Sequence, residues 1–332
     1  MRQVCVGVVV WAALGWSVRA AATEEPAAPP AHVATEGVEE VVVEAREPRY
    51  AAPTLRDRIG RIWAPVMING KGPYRLVLDT GATSSAIVSS VVQRLGIPIA
   101  AGATARLQGA TGTAIVPYAT AEQMEVGDLT IDRPKLLVVP EVFGGADGVL
   151  GTQGLKDKRI YIDFRHDLIE IAYARGKPRP AGLSVVKFDV ARGRLAAFDM
   201  VVGGVRTKAI IDTGAQQTIG NNRLRESLLL RPRETHDADI IGVTLDIAQG
   251  QSIRIPPIRW GGVEVRNLRI TFGEMSIFQH WRLDREPALL IGMDVIGTLE
   301  TFVIDYQRRE LYLRARGAAP VLSRLPESQK GG

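Results

Sequence analysis

The feature that most constrains this chain is an internal repeat. The run Val77-Leu78-Asp79-Thr80-Gly81-Ala82 returns as Ile210-Ile211-Asp212-Thr213-Gly214-Ala215, 133 residues later. A strand–turn–strand pattern precedes each copy: Met67-Ile68-Asn69-Gly70 before the first and Val201-Val202-Gly203-Gly204 before the second. A glycine-marked hairpin is expected after each, turning at Gly109-Ala110-Thr111-Gly112 and at Ala248-Gln249-Gly250. Further along, Val126-Gly127-Asp128-Leu129 matches Trp260-Gly261-Gly262-Val263, and Val149-Leu150-Gly151 matches Leu290-Ile291-Gly292. Finally Tyr161-Ile162-Asp163-Phe164 matches Val303-Ile304-Asp305-Tyr306. Stations in one conserved order imply two copies of one unit, expected over 58–183 and 184–316.

Short Val, Ile and Leu runs cut by Gly and Asn-Gly turns point to strands rather than helices. The expected fold is all-β, mainly antiparallel and bilobal, with a few short helices such as 89–95 and 222–230. At 332 residues, with 46% hydrophobic and 23% charged residues, the chain can bury a core without metal or disulfide staples.

The flanks read differently. Arg2, the apolar run from Val4 to Trp16 and the small residues near Ala20 resemble an export signal over 1–22. Export to the periplasm or secretion is therefore expected, with an uncleaved membrane anchor as the alternative. The sole cysteine, Cys5, would leave with the signal, which removes disulfides, thiol nucleophiles and thiolate metal sites from the mature chain. A Pro- and Ala-rich linker is expected over 23–57 and a polar, flexible tail over 317–332. A net charge of +5, spread along the chain, gives no footprint for nucleic acid.

One Asp-Thr-Gly would arise by chance in about one chain in fifteen of this length. Two in register, each after two apolar residues and before alanine, are a different matter. Each carboxylate would leave a buried strand on a tight turn, where glycine supplies backbone freedom. A pseudo-two-fold axis would bring the turns face to face. Two carboxylates that close cannot both ionise, so the pair shares a proton. The charged member can then deprotonate a water, and the protonated one can donate to a carbonyl oxygen. No Gly-x-Ser-x-Gly, His-Glu-x-x-His or phosphate loop competes with this reading. No metal or other cofactor is expected. His166 is expected on a surface turn.

With these motifs the chain resembles the retropepsin- and pepsin-like aspartic peptidases, and most closely exported bacterial members carrying both retropepsin-like lobes on one chain. The resemblance spans 58–316 and implies Asp79 and Asp212 as catalytic residues. It implies that Thr80 and Thr213 cross-brace the two loops, with Gly81 and Gly214 as loop support, and that the two apolar-apolar-Gly elements pack against those loops. It suggests flaps at 108–113 and 246–251, with Gly109, Gly112 and Gly250 as flap candidates. The implied substrate is an extended protein or peptide, cut by a monomer. A non-catalytic peptide-binding module and an envelope scaffold are the other readings of the same cleft.

Overall fold

The computed structural model describes residues 60–176, 178, 183–191, 195–229 and 235–316, with short strand segments at 3–5, 11–13 and 52–53. The expected signal, linker and tail otherwise lie outside the described residues.

The repeat folds as two lobes of the same design, built mostly of antiparallel strands. In the first, nine strands of one sheet run in the spatial order 104–108, 113–120, 135–139, 86–88, 148–150, 71–78, 63–68, 123–126 and 129–132. In the second the order is 236–241, 247–254, 269–272, 219–220, 288–291, 205–211, 195–202, 258–260 and 263–265. The two lists correspond strand for strand. Segments 3–5 and 11–13 add to the outer hairpin strands, parallel to 106–108 and antiparallel to 239–241.

Alternation sets the faces. Trp63–Ile68 buries every second residue, Ala64, Val66 and Ile68, against the lobe core. The ends of the aspartate-bearing strands, Leu76-Val77-Leu78 and Ala209-Ile210-Ile211, are buried on both faces, as strands in the middle of a layered sheet must be. Each pairs in parallel with an apolar-apolar-Gly strand, Leu78 opposite Leu150 and Ile211 opposite Ile291.

A third sheet joins the lobes. Lys158–Asp163 of the first pairs antiparallel with Leu299–Asp305 of the second, Ile160 opposite Ile304. These are the last matched stations of the repeat, so the two copies meet through the same element. Ser184–Lys187 closes one side against Glu310–Ala315.

Helix Ser89–Leu95 ends on Gly96 in the left-handed region (φ 69°). The second helix, Asn222–Ser227, is shorter than the 222–230 expected and starts on Asn221, whose side chain caps Leu224 N. His166 sits on a turn, half exposed, with Nδ1 2.9 Å from Asp163 Oδ2.

Candidate active site

Asp79 and Asp212 leave the ends of their strands at equivalent points. The Asp79 N–H donates to Leu150 O at 2.9 Å and the Asp212 N–H to Ile291 O at 3.0 Å. The apolar-apolar-Gly strands therefore hold the backbone of each aspartate. Each loop then folds onto its own carboxylate. Asp79 Oδ1 accepts from the N–H groups of Gly81 and Ala82, both at 2.9 Å. Asp212 Oδ1 accepts from those of Gly214 at 2.9 Å and Ala215 at 3.1 Å.

The threonines tie one loop to the other. Thr80 Oγ1 donates to Ile211 O at 2.9 Å and accepts from Thr213 N at 3.2 Å. Thr213 Oγ1 donates to Leu78 O at 2.7 Å and accepts from Thr80 N at 3.2 Å. Four buried bonds thus cross the boundary between two segments 133 residues apart. They bring the two aspartates together.

Behind each loop a hydroxyl anchors the apolar-apolar-Gly turn. Ser85 Oγ accepts from Gly151 N at 3.1 Å, and Thr218 Oγ1 accepts from Gly292 N at 3.0 Å. The second lobe adds Asp294, which accepts from Thr218 N and, at 2.7 Å, from Thr218 Oγ1. Gln153 stands at the matching place in the first lobe. Burial pushes the Asp294 carboxyl up to about 6, against the hydrogen bonds from Thr218 and the Val295 N–H, which favour its charged form.

Both aspartates of the pair are fully buried. Desolvation raises the pKa of Asp79 to about 6. The rise is held back by the Asp212 side chain, the Gly81 and Ala82 N–H groups and, more weakly, the charge of Arg61. Asp79 Oδ2 makes no hydrogen bond of good geometry within the protein, although Asp212 lies near enough to affect its titration. The pair titrates as a unit.

Two neighbours of Asp79 escaped sequence reasoning. Arg61 is fully buried and donates from Nη2 to Phe143 O at 2.8 Å. It stands 18 residues before Asp79, as Arg194 stands 18 before Asp212, a further matched station that could have drawn attention to it. Tyr306 is buried with its hydroxyl unpartnered. Burial first, then the charge of Asp79, raises its pKa. Phe164 fills the matching place, so no repeat signal marked the hydroxyl.

Two hairpins occupy the places of the expected flaps. The first turns at 109–112, where Gly109 N donates to Gly112 O at 2.8 Å, so Gly109 and Gly112 sit where expected. The second differs from expectation. Its turn is at 242–246, with Gly242 N donating to Asp246 O at 3.2 Å, and not at 248–250. Gly250 lies inside strand Ile247–Arg254, opposite Ala238. A Cβ there would come 2.6 Å from Thr271 Cγ2, so this glycine serves close packing. Leu245 takes the left-handed position of the turn (φ 65°), which glycine counting does not find. The tips interlock: a Cβ on Gly109 would lie 3.2 Å from Val243 Cγ1, and one on Gly242 would lie 2.2 Å from Thr111 Oγ1.

A family model described as aspartyl protease matches residues 64–153 and again residues 198–295. Among solved structures the chain is similar to an aspartic proteinase from Irpex lacteus, at 13% identity and a TM-score of 0.47, covering 80% of this chain and 96% of that one. It is also similar to a retropepsin-like aspartic protease from Rickettsia conorii, at 20% identity and a TM-score of 0.27, covering 37% of this chain and 92% of that one. No curated protein matches it.

Proposed function

This chain belongs to the aspartyl protease family, as a bilobal retropepsin-like member, and on that premise we propose that it is an endopeptidase whose site is shared by Asp79 and Asp212. The observation that carries the proposal is the cross-braced pair of loops, which sets two buried carboxyls against each other with one of them raised to about 6.

The chemistry follows from one shared proton. The ionised carboxylate takes a proton from water as the water oxygen attacks the scissile carbonyl carbon. The protonated carboxyl gives its proton to the carbonyl oxygen. The tetrahedral diol collapses when the protonated carboxyl gives its proton to the amide nitrogen, the C–N bond breaks, and the ionised carboxylate takes a proton from one diol hydroxyl, which leaves a carboxylic acid, an amine and a singly protonated pair. No covalent intermediate with the protein forms. Hydrogen bonds from Gly81, Ala82, Gly214 and Ala215 hold one oxygen of each carboxyl in place, so little reorganisation accompanies the step.

The substrate would bind extended beneath the flaps, pairing its backbone by strand addition. Because the dyad is buried with the flaps down, the flaps must lift for a peptide to enter. One chain carries the whole site, which favours a monomeric enzyme. The apolar N-terminal run after Arg2 favours export. The decisive experiment is peptide-library cleavage by the mature chain across pH, with Asp79→Asn and Asp212→Asn as controls. Cleavage that survives either substitution rejects the proposal, and binding without cleavage supports the peptide-binding reading instead.

A further inference from the structure

The repeat gives both flaps the same strands, but their tips are held by different forces. The second tip docks through an apolar side chain: Val243 is 1% exposed, belongs to the core cluster that spans both lobes, and lies against Gly109 of the first tip. Among the described residues, the backbone hydrogen bonds at this tip are internal, Gly242 N to Asp246 O and Leu245 N to Gly242 O. Leu245 and Ile247 stay exposed.

The first tip carries only Ala110 at the matching place, and a methyl group buries little area. Ala110 is nonetheless fully buried, among Ile240, Met275, Ile277 and Phe278 of the second lobe. What holds it is polar. The Ala110 carbonyl accepts from Ser276 Oγ at 2.9 Å and from Ile277 N at 3.2 Å. Ser276 Oγ in turn accepts from Gln108 Nε2 at 3.3 Å. Gln108 also braces its own hairpin, with Nε2 donating to Gly112 O at 3.2 Å and Oε1 accepting from Thr113 Oγ1 at 2.5 Å. The network runs from one strand of the first flap, across its tip, into helix Ser276–Trp281 of the second lobe.

We propose that Ser276 is a positioning residue that catches the first flap and sets how readily it lifts to admit a peptide. This rests on the peptidase reading of the cleft. Lifting the tip strips the Ala110 carbonyl of two donors and breaks the Gln108–Ser276 bond. Among the described residues the second flap has no such catch. Ser276 touches no reacting group. It acts through the free enzyme, whose open fraction scales the apparent affinity for substrate.

Hydrogen exchange on the full chain, without substrate, tests the catch directly. Ser276→Ala should speed exchange at 109–112 about fivefold, the population change carried by one buried hydrogen bond of ordinary strength. Exchange at 242–246 and the unfolding midpoint should not move. Ser276→Thr, which keeps the hydroxyl, should restore slow exchange. With a cleaved peptide, Ser276→Ala should lower KM and leave kcat within about twofold, because only the free enzyme's open fraction changes. Unchanged exchange at 109–112, equal acceleration at both tips, or failure of Ser276→Thr to rescue overturns the proposal. So does a rise in KM, which would mean that the hydroxyl clamps the flap onto the peptide. Exchange is read in the absence of cleavage, so a chain that cuts nothing would defeat the peptidase reading while still judging the catch.

Discussion

A Cβ on Gly214 would fall 2.4 Å from the carboxyl carbon of Asp79, and one on Gly81 would fall 2.6 Å from that of Asp212. Neither glycine has a left-handed φ. The motif's glycine is thus demanded by the aspartate of the other lobe, not by its own turn. Gly81→Ala and Gly214→Ala should each displace the opposing carboxyl and lower kcat/KM by about 100-fold or more, the usual cost of misplacing a reacting group by an ångström. Steady-state kinetics beside a melting curve checks this. A variant with near-native turnover would contradict it.

The threonine brace should be costly to cut from either side. Thr80→Val or Thr213→Val removes a hydroxyl that makes two buried hydrogen bonds and leaves a buried N–H and carbonyl unmatched. Each should cost about 2–3 kcal/mol in urea unfolding. The double variant should cost less than the two summed, because both substitutions break one network. Thr→Ser should cost less at either site.

Asp79→Asn and Asp212→Asn should each remove nearly all peptidase activity, since partners acting as a unit are not additive. Both aspartates belong to one chain, so activity per chain should hold constant on dilution well below micromolar. A dimer-like loss on dilution would refute the single-chain site.

The pH profile should be bell-shaped with an optimum at about pH 4.5–6.5, from the usual behaviour of coupled carboxyls. Burial raises Asp79 to about 6, so the singly protonated pair persists to about that pH and activity falls above it. Ala82 and Ala215 bring no hydroxyl to the pair. Ala82→Ser with Ala215→Ser should move the optimum down if the new hydroxyls reach the carboxylates, because donation to the charged form lowers its pKa. An optimum below about pH 3 in the native enzyme would defeat this prediction.

Asp294 gives a separate stability signal. Its folded pKa of about 6 exceeds the ordinary value of 3.8, so the folded state holds this proton more tightly than the unfolded chain. The associated stability is full below about pH 4 and is lost as pH rises through about 6. Relative to Asp294→Asn, the native chain should lose about 3 kcal/mol between pH 3.5 and 7, at 1.36 kcal/mol per unit. Asp79 titrates in the same window in both proteins, so the difference between their unfolding curves isolates Asp294. A flat difference would show that the hydrogen bonds from Thr218 and the Val295 N–H cancel the effect of burial, and a difference that grows with pH would show that they outweigh it.

Much of the architecture was legible because it repeats. Val77-Leu78-Asp79 and Ile210-Ile211-Asp212 mark buried strands ending in a carboxylate, and that pattern is local to each strand. The second hairpin shows where such reading stops. Glycine at 250 suggested a turn, yet packing against Thr271 explains that glycine, while Leu245 supplies the left-handed turn residue. Nothing local separates a glycine needed for a turn from one needed for a neighbour in space.

By itself, then, the amino-acid sequence determined that there are two lobes, in what order their strands come, and which two aspartates stand at equivalent places. Strand alternation and the apolar runs before each aspartate are properties of neighbouring residues, and they survive in any reading of the chain. Tertiary structure alone decided the rest. Pairing of Ile160 with Ile304 joins the lobes, the Thr80–Thr213 exchange sets the aspartates face to face, and Ser276 Oγ donates to Ala110 O at the tip of a hairpin from the other lobe. Burial then raises Asp79 to about 6. These contacts join residues more than a hundred positions apart, and their energies come from desolvation and from space that exists only once both lobes have packed.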